Sequence, residues 1–437
     1  DGAAFKEATY YFGGEDDGAM TTGWLLADVT YDEATNDDYK YTAAAFNDDE
    51  DQTRWFYFKS NGKMVKADNG ERTKDKTING KKYAFDEYGA MVAEWSLDEG
   101  DEKIASKSEE RAKASVGAAT TSNAWSGAGN YAKYTQAWRY FNSVEDGSRV
   151  SKGWFKVVAA EMLNKGKYDD DEDAWYYADG SGKLYAGEFK TIKGKKYAFR
   201  NDGRMISGLK FIKVGNHDLV DVVADDDDNH SFEDEDAFLA EAYTYFEGNG
   251  YKCYYFGNGE DGAMRTGKTS LTFDGENTNF YFEKSGGKKG AGVTGEKDNK
   301  LYQSGMLLKA NSDDKYTVVD KETHINVDGS KYYTYTKLAD AEAFMKSVKV
   351  NGGKADNALA TVKDPAEKVK IGNNSEKKAE DLSEAYTIDL KNVVNHEYVL
   401  VNTSGKVIDS KGKNKDGSDY YYVTDTNGTI TNIYVED

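Results

Sequence analysis

Tryptophan and tyrosine placed two residues apart are the feature of this sequence most able to do chemistry: Trp55 and Tyr57 in WFYF, and Trp175 and Tyr177 in WYY. In an extended strand residues i and i+2 share a face, so each pair can present two rings side by side. Two or three such rings make a wall for a quaternary ammonium or for the flat face of a sugar, and cation–π attraction contributes ~0.5–2 kcal/mol per good contact. Other chemistry is less well supported. The acidic clusters Asp48–Asp51, Asp169–Asp173 and Asp225–Asp228 carry oxygen ligands of the kind calcium takes, but none has D-x-D-x-D-G spacing closed by a glutamate, so they read as solvated faces. His217, His230, His324 and His396 share no metal spacing. No G-x-S-x-G, P-loop or Cys–His arrangement occurs, and carboxylates are too abundant for any pair to stand out. The expectation is a protein that is not an enzyme and that uses no metal or cofactor.

The elements that must position these rings are β-hairpins, and they repeat. Thr77–Met91 reads TINGKKYAFDEYGAM and returns at Thr191–Met205 as TIKGKKYAFRNDGRM. Asn79-Gly80 is a strong hairpin signal, because a type I′ turn needs positive φ at both central residues. A longer repeat contains this one. Tyr11-Phe12, Tyr140-Phe141 and Tyr255-Phe256 each open a stretch with a glycine six positions after the phenylalanine, at Gly18, Gly147 and Gly262. Further hairpins follow at Trp55, Trp175 and Phe280, and the closing hairpin is a worn KLYQSGM from Lys300 in the third copy.

The expected fold is mainly β: an elongated β-hairpin solenoid of three modules, with helical inserts and a degenerate C-terminal β cap. The modules span 1–95, 133–211 and 251–310. Units of this kind stack because none can bury its aromatic face alone. Helical inserts are expected at 96–132 and 212–250, and a helical or linker region at 311–386, with the cap at 387–437. Within these, Leu97–Thr121, Ser231–Phe246 (capped by Ser231) and Lys337–Val348 have helical composition.

Composition narrows the function classes. The net charge of -21, from 78 acidic and 57 basic residues, argues against nucleic acid and suits cationic ligands. The 33 tyrosines, 19 phenylalanines and 7 tryptophans mean that burial comes from rings rather than from a thick aliphatic core. Cys253 is the single cysteine, so no intrachain disulfide forms, and it reads as a small buried residue. No apolar run is long enough for a membrane span. The chain begins at Asp1 without a methionine, and reads as a processed or truncated product.

The Gly-Trp pairs at 23–24 and 153–154, WFYF, WYY and the two GKKYAF stretches resemble the cell-wall-binding repeat family: choline-binding repeats, glucan-binding repeats and clostridial toxin C-terminal repeats. The resemblance implies a secreted protein of the Gram-positive bacterial cell surface, with a cell-wall polymer or glycan as partner. It also implies ligand walls of Trp24 with Trp55 and Tyr57, closed by Met64 and Met91, and of Trp154 with Trp175 and Tyr177. The spacing departs from the family's: 30 residues separate Trp24 from Trp55 and 20 separate Trp154 from Trp175, and Lys268 stands where the third tryptophan would be. Adhesion or attachment is the expected role. The alternatives are a self-associating subunit of an extracellular fibre or surface layer, and the targeting portion of a larger enzyme or toxin.

Overall fold

The computed structural model describes residues 10–13, 16–29, 52–67, 72–86, 88–97, 130–161, 163–215, 218–223, 232–273, 275–351, 359–389, 394–409 and 412–437. The chain is mainly β with few helices. It divides into two compact units, one of Asp1–Ile206 with Gly215–Val220, the other of Ser207–Val214 with Asp221–Asp437.

Among the described residues the first unit contains five two-stranded antiparallel sheets. They are β1 (Gly23–Val29) with β2 (Gln52–Phe58), β3 (Lys76–Ile78) with β4 (Lys81–Tyr83), and β5 (Glu94–Leu97) with β6 (Trp138–Phe141). After them come β7 (Gly153–Val157) with β8 (Ala174–Ala178), and β9 (Glu188–Ile192) with β10 (Lys195–Phe199). Helix α1 (Asn130–Gln136) precedes β6, and the short α2 (Lys165–Asp169) lies between β7 and β8. The tight turns are of the mirror-image type: Asn79-Gly80 has φ of 47° and 81°, and Lys193-Gly194 repeats this at 47° and 82°.

The two GKKYAF hairpins sit in equivalent surroundings. Tyr83 and Tyr197 are each 8% exposed, and Ala84, Phe85, Ala198 and Phe199 are fully buried. Each hairpin docks on the tryptophan-bearing hairpin before it through a backbone bond: the Met91 amide donates to the Trp55 carbonyl and the Met205 amide to that of Trp175, both at 2.8 Å. A second device stacks the wider turns. The Asp86 carboxylate accepts from the Tyr88 and Ala90 amides, Asp179 does the same for Ser181 and Lys183, and the turns they close leave a glycine in the left-handed region. At Gly89 (φ +87°) a Cβ would fall 2.8 Å from the Met64 sulfur, so the methionine of one hairpin rests on the bare turn of the next.

Buried charge joins α2 to the last hairpin. Asn164 caps α2 by accepting from the Lys167 amide, and its side-chain NH₂ donates to Asp202 at 2.6 Å. Asp202 also accepts from Arg204 Nε at 2.7 Å. Burial alone would push the Asp202 carboxyl up, but Arg204 and Arg200, with the bonds from Arg204 and Asn164, hold it below the usual carboxylate range. A depressed folded-state pKa contributes stability above the unfolded value, and that contribution is lost as pH falls through the folded one. From about pH 4 downward the first unit should therefore weaken, and Asp202→Asn should flatten this part of its stability–pH profile. Acid titration of urea midpoints for both proteins checks this; parallel profiles would refute it.

In the second unit, β11 (Leu209–Gly215) pairs with β13 (Tyr251–Tyr255). Strand β12 (Asp218–Val223) and helix α3 (Glu235–Thr244) lie between them in sequence. Asp234 caps α3 by accepting from the Ala237 amide; Ser231, the expected cap, is outside the described residues, as is 98–129 of the first insert. Phe238, Leu239 and Ala242 of α3 are buried, with the Phe238 ring 5.5 Å from Phe211 and 5.2 Å from Phe280. A five-stranded sheet follows from β14 (Gly267–Phe273), β15 (Glu276–Phe282), β16 (Gly295–Lys297), β17 (Lys300–Gln303) and β18 (Met306–Leu307).

The region 311–386, expected to be helical or linker, instead holds two ten-residue strands, β19 (Tyr316–Ile325) and β20 (Lys331–Asp340). They form a hairpin closed at Gly329, because KYYTYT is a β-branched and aromatic run. The helix expected at 337–348 accordingly starts late: Lys337–Asp340 belong to β20, and α4 is Ala341–Asn351. Strands β21 (Leu359–Thr361), β22 (Lys368–Lys370), β23 (Glu376–Lys378), β24 (Glu384–Ile388), β25 (His396–Asn402), β26 (Asn414–Lys415), β27 (Tyr421–Thr424) and β28 (Ile430–Val435) complete the unit. Strand β25 pairs with β19, and β21, β24, β28, β27 and β26 make a further five-stranded sheet.

Candidate functional site

The register of β1 on β2 places Trp24 opposite Tyr57 and Leu26 opposite Trp55. That of β7 on β8 places Trp154 opposite Tyr177 and Lys156 opposite Trp175. The resulting geometry is the same twice. Trp24 lies 6.3 Å from Trp55 and 5.1 Å from Tyr57; Trp154 lies 6.3 Å from Trp175 and 5.1 Å from Tyr177. All four contacts are edge-to-face, the favoured arrangement of aromatic quadrupoles. The GKKYAF hairpin supplies the floor: Tyr83 is 4.9 Å and Phe85 5.8 Å from Trp24, and Tyr197 is 4.9 Å and Phe199 5.7 Å from Trp154. Floor residues are buried, whereas Trp24, Trp55, Tyr57, Trp154, Trp175 and Tyr177 are all half-exposed. The rings touch one another, so each set is a wall with one open side rather than a slot between parallel faces.

The two methionines separate. Met91 packs with Tyr83 and Phe85 beneath the Trp24 wall. Met64 does not close it: this residue bridges to Phe58 and packs with Phe56, Phe58, Tyr88 and Ala90. Alternation along β2 explains this, because Phe56 and Phe58 face opposite to Trp55 and Tyr57. In the second wall the polar surroundings are richer: the Lys156 ammonium lies 6.0 Å from the Trp175 ring, and Tyr185 stacks 5.2 Å from Tyr177.

A third wall repeats the ring contacts, but its Trp138, at the position of Trp55 and Trp175, is buried. Trp95 of β5 stands opposite Tyr140 of β6, 5.1 Å from its ring and 6.4 Å from Trp138. The next hairpin again supplies the floor, with Tyr176 at 5.1 Å and Phe155 at 5.9 Å. The Trp95 indole N–H donates to the Val158 carbonyl at 2.8 Å. Burial, with Glu94 and Asp173 nearby, pushes the Tyr140 hydroxyl up to about 12. The signal was present as Trp138-Arg139-Tyr140-Phe141, the spacing of Trp55-Phe56-Tyr57-Phe58. What hid it is Glu94, which takes a positive φ of 55° before Trp95, where Gly23 has 82° before Trp24.

In the second unit the wall is missing. Lys268 pairs with Tyr281 in the register that joins Trp24 to Tyr57, and Asn279 holds the position of Trp55. Lys268 and Asn279 are exposed. Among the described residues no group of three His, Cys, Asp or Glu is placed to hold a metal, and no helix is long and apolar enough to cross a membrane. In the Asp169–Asp173 cluster, Asp169 and Asp170 are ion-paired with Lys165 and Lys167. Asp48–Asp51, Asp225–Asp228, His217 and His230 lie outside the described residues. His396 instead contacts Asp320 at 2.9 Å, and His324 contacts Thr334 at 2.8 Å.

No family model and no curated protein matches the chain. Among solved structures it is similar to choline-binding protein F from Streptococcus pneumoniae in the presence of a peptidoglycan analogue, at 18% identity over 74% of this chain and 83% of that one, with a TM-score of 0.34. It is also similar to the modular autolysin LytC from Streptococcus pneumoniae, at 17% identity over 70% and 43% with a TM-score of 0.28. A third is CbpJ from Streptococcus pneumoniae, at 15% identity over 73% and 89% with a TM-score of 0.26.

Proposed function

We propose that this chain is a non-catalytic surface protein that attaches to a cell-wall polymer or glycan through the open sides of its aromatic walls. One observation carries the reading: the same half-exposed ring set recurs at Trp24 with Trp55 and Tyr57 and at Trp154 with Trp175 and Tyr177. Two repeated open faces suit a repeating ligand. A choline-like head group is favoured over a neutral sugar by the net charge of -21 and by the electron-rich ring faces. The hairpin run of the first unit is read as a solenoid segment whose turns space these walls. The chain works at the outside of the bacterial cell.

Titration of the intact protein with choline and with soluble glucans, followed by tryptophan fluorescence, tests the proposal. A saturable change is expected, and Lys268→Ala should leave it unaltered, since that position has no wall. Absence of a saturable change with every ligand would sink the reading and favour a self-associating structural subunit, in which the rings only hold hairpins together.

A further inference from the structure

Five lysines converge on one face of the β14–β18 sheet in the second unit. Alternation sorts the residues of that sheet between its two faces. Phe280, Phe282, Leu301 and Met306 lie on the core side. Tyr281, Val293, Tyr302 and Leu307 form a small cluster on the other side, where the Tyr281 and Tyr302 rings are 6.0 Å apart. Directly paired residues share a face. Lys268, paired with Tyr281, is therefore on the tyrosine side. The Lys284 and Lys297 ammonium groups lie 5.9 Å and 5.5 Å from the Tyr281 ring.

Three of the five stand in a row. Lys297 is paired with Lys300 across the β16–β17 turn, and Lys300 is paired in turn with Lys406, which follows β25. Lys300 is two residues from Tyr302, so the row is on the tyrosine side. Paired positions hold their Cβ atoms about 5 Å apart, and like charges directly opposed destabilise a sheet. Little offsets this repulsion. Among the described residues the only ion pair made by any of the five is Lys297 with Glu283, at 3.7 Å. The other carboxylate beside the row, Asp298, is exposed at the turn. Elsewhere in this unit lysines are closely neutralised: Lys321 by Glu397 at 2.7 Å, Lys378 by Glu380 at 2.9 Å and Lys413 by Glu436 at 2.7 Å. In a chain of net charge -21, five lysines gathered on one face are a local reversal of sign.

We propose that this face binds a linear polyanion bearing phosphate groups. Lys297, Lys300 and Lys406 take successive anionic groups, and Lys268 and Lys284 supply flanking charge. An ammonium acts on phosphate as a point charge, and a row of them suits a chain of repeating charges. Nucleic acid fits poorly, because single strands are held by stacking bases on open aromatic rings, and Tyr281 and Tyr302 are only 6% and 4% exposed. The face shares no residue with the walls at Trp24 and Trp154. It takes a ligand of opposite charge and does not depend on them.

Calorimetric titration of the full chain with short-chain inorganic polyphosphate at low salt tests this. Saturable binding is expected, weakening as salt rises because each neutralised phosphate releases counterions. Lys300→Gln combined with Lys406→Gln should lower the affinity by about tenfold or more. Lys378→Gln, at a paired lysine, should leave it unchanged. Removing two of three opposed charges relieves repulsion, so the double variant should unfold at the same urea concentration as the parent or a higher one. In the unaltered chain, polyphosphate should protect Lys297, Lys300 and Lys406 from an amine-reactive reagent, read by mass spectrometry. Absence of saturable heat at low salt, or of that protection, overturns the proposal. So does equal affinity in the double variant, or an equal loss in Lys378→Gln, which would mean that diffuse charge does the binding. Oligothymidylate of the same charge binding as tightly as polyphosphate would overturn the ligand class.

Discussion

Gly292→Ala should unfold the second unit at markedly lower denaturant, with a loss of about 3–5 kcal/mol. Two chain segments cross here at backbone contact. A Cβ on Gly292 would stand 2.3 Å from the Ser304 carbonyl oxygen and 2.8 Å from the Gly305 nitrogen, and neither is the free end of a side chain that can swing aside. The crossing is also where hydrogen bonds converge. The Gly292 amide donates to the Cys253 carbonyl at 2.8 Å, the Gly305 amide to that of Val293 at 2.8 Å, and the Tyr281 amide to that of Gly305 at 2.8 Å. Making room for one methyl group therefore disturbs three bonds joining β13, β15 and the β17–β18 turn. Gly287 is the control: nothing lies within 4 Å of its added Cβ, so Gly287→Ala should shift stability by less than about 1 kcal/mol. Urea midpoints and exchange rates at the Tyr281 and Gly305 amides would show the contrast. Equal midpoints for the two variants would mean that the crossing relaxes at no cost.

The hairpins were legible because their physics is local. Period-two alternation and a glycine turn are readable in a dozen residues, so GKKYAF, the Trp55 and Trp175 strands and the loss of tryptophan at Lys268 all map onto observed registers. What escaped depended on non-local pairing or on an unusual residue in a required conformation. Strand β5 finds its partner only across residues 98–129 of the chain. Its start carries glutamate where a glycine would announce the turn, so the strand is split in the sequence between the end of the first module at Trp95 and the insert from 96. The hairpin of β19 and β20 was overshadowed by the neighbouring KLADAEAFMKSV, whose helical composition extends four residues into the strand. The resemblance puts Met64 at the wall, while only the strand's facing decides which side it serves.

Trp95→Ala is expected to cost the first unit about 3–4 kcal/mol, and Trp24→Ala and Trp154→Ala about 2–3 kcal/mol each. All three rings are half-buried against four aromatic neighbours, so a large-to-small change removes several edge-to-face contacts together with buried area. Trp95 should lose more because its indole N–H also satisfies the Val158 carbonyl. Lys268→Ala, at the equivalent exposed position, should stay within about 0.5 kcal/mol. These losses do not depend on whether the walls bind anything, and that independence allows packing and recognition to be separated. Trp24→Phe and Trp154→Phe keep a ring over Tyr83 and Tyr197 while shrinking the open face presented to solvent. If the walls serve only packing, the phenylalanine variants should recover most of the stability and behave like the parent in every titration. If the walls also bind a quaternary ammonium, stability should recover while affinity falls, since indole is the strongest of the aromatic cation–π partners. Urea midpoints and choline titrations run on these two pairs of variants give both quantities. Stability unchanged on Trp95→Ala would remove the third wall from the account, because a ring in contact with Trp138, Tyr140, Phe155 and Tyr176 cannot be deleted without cost if those contacts hold the hairpins together.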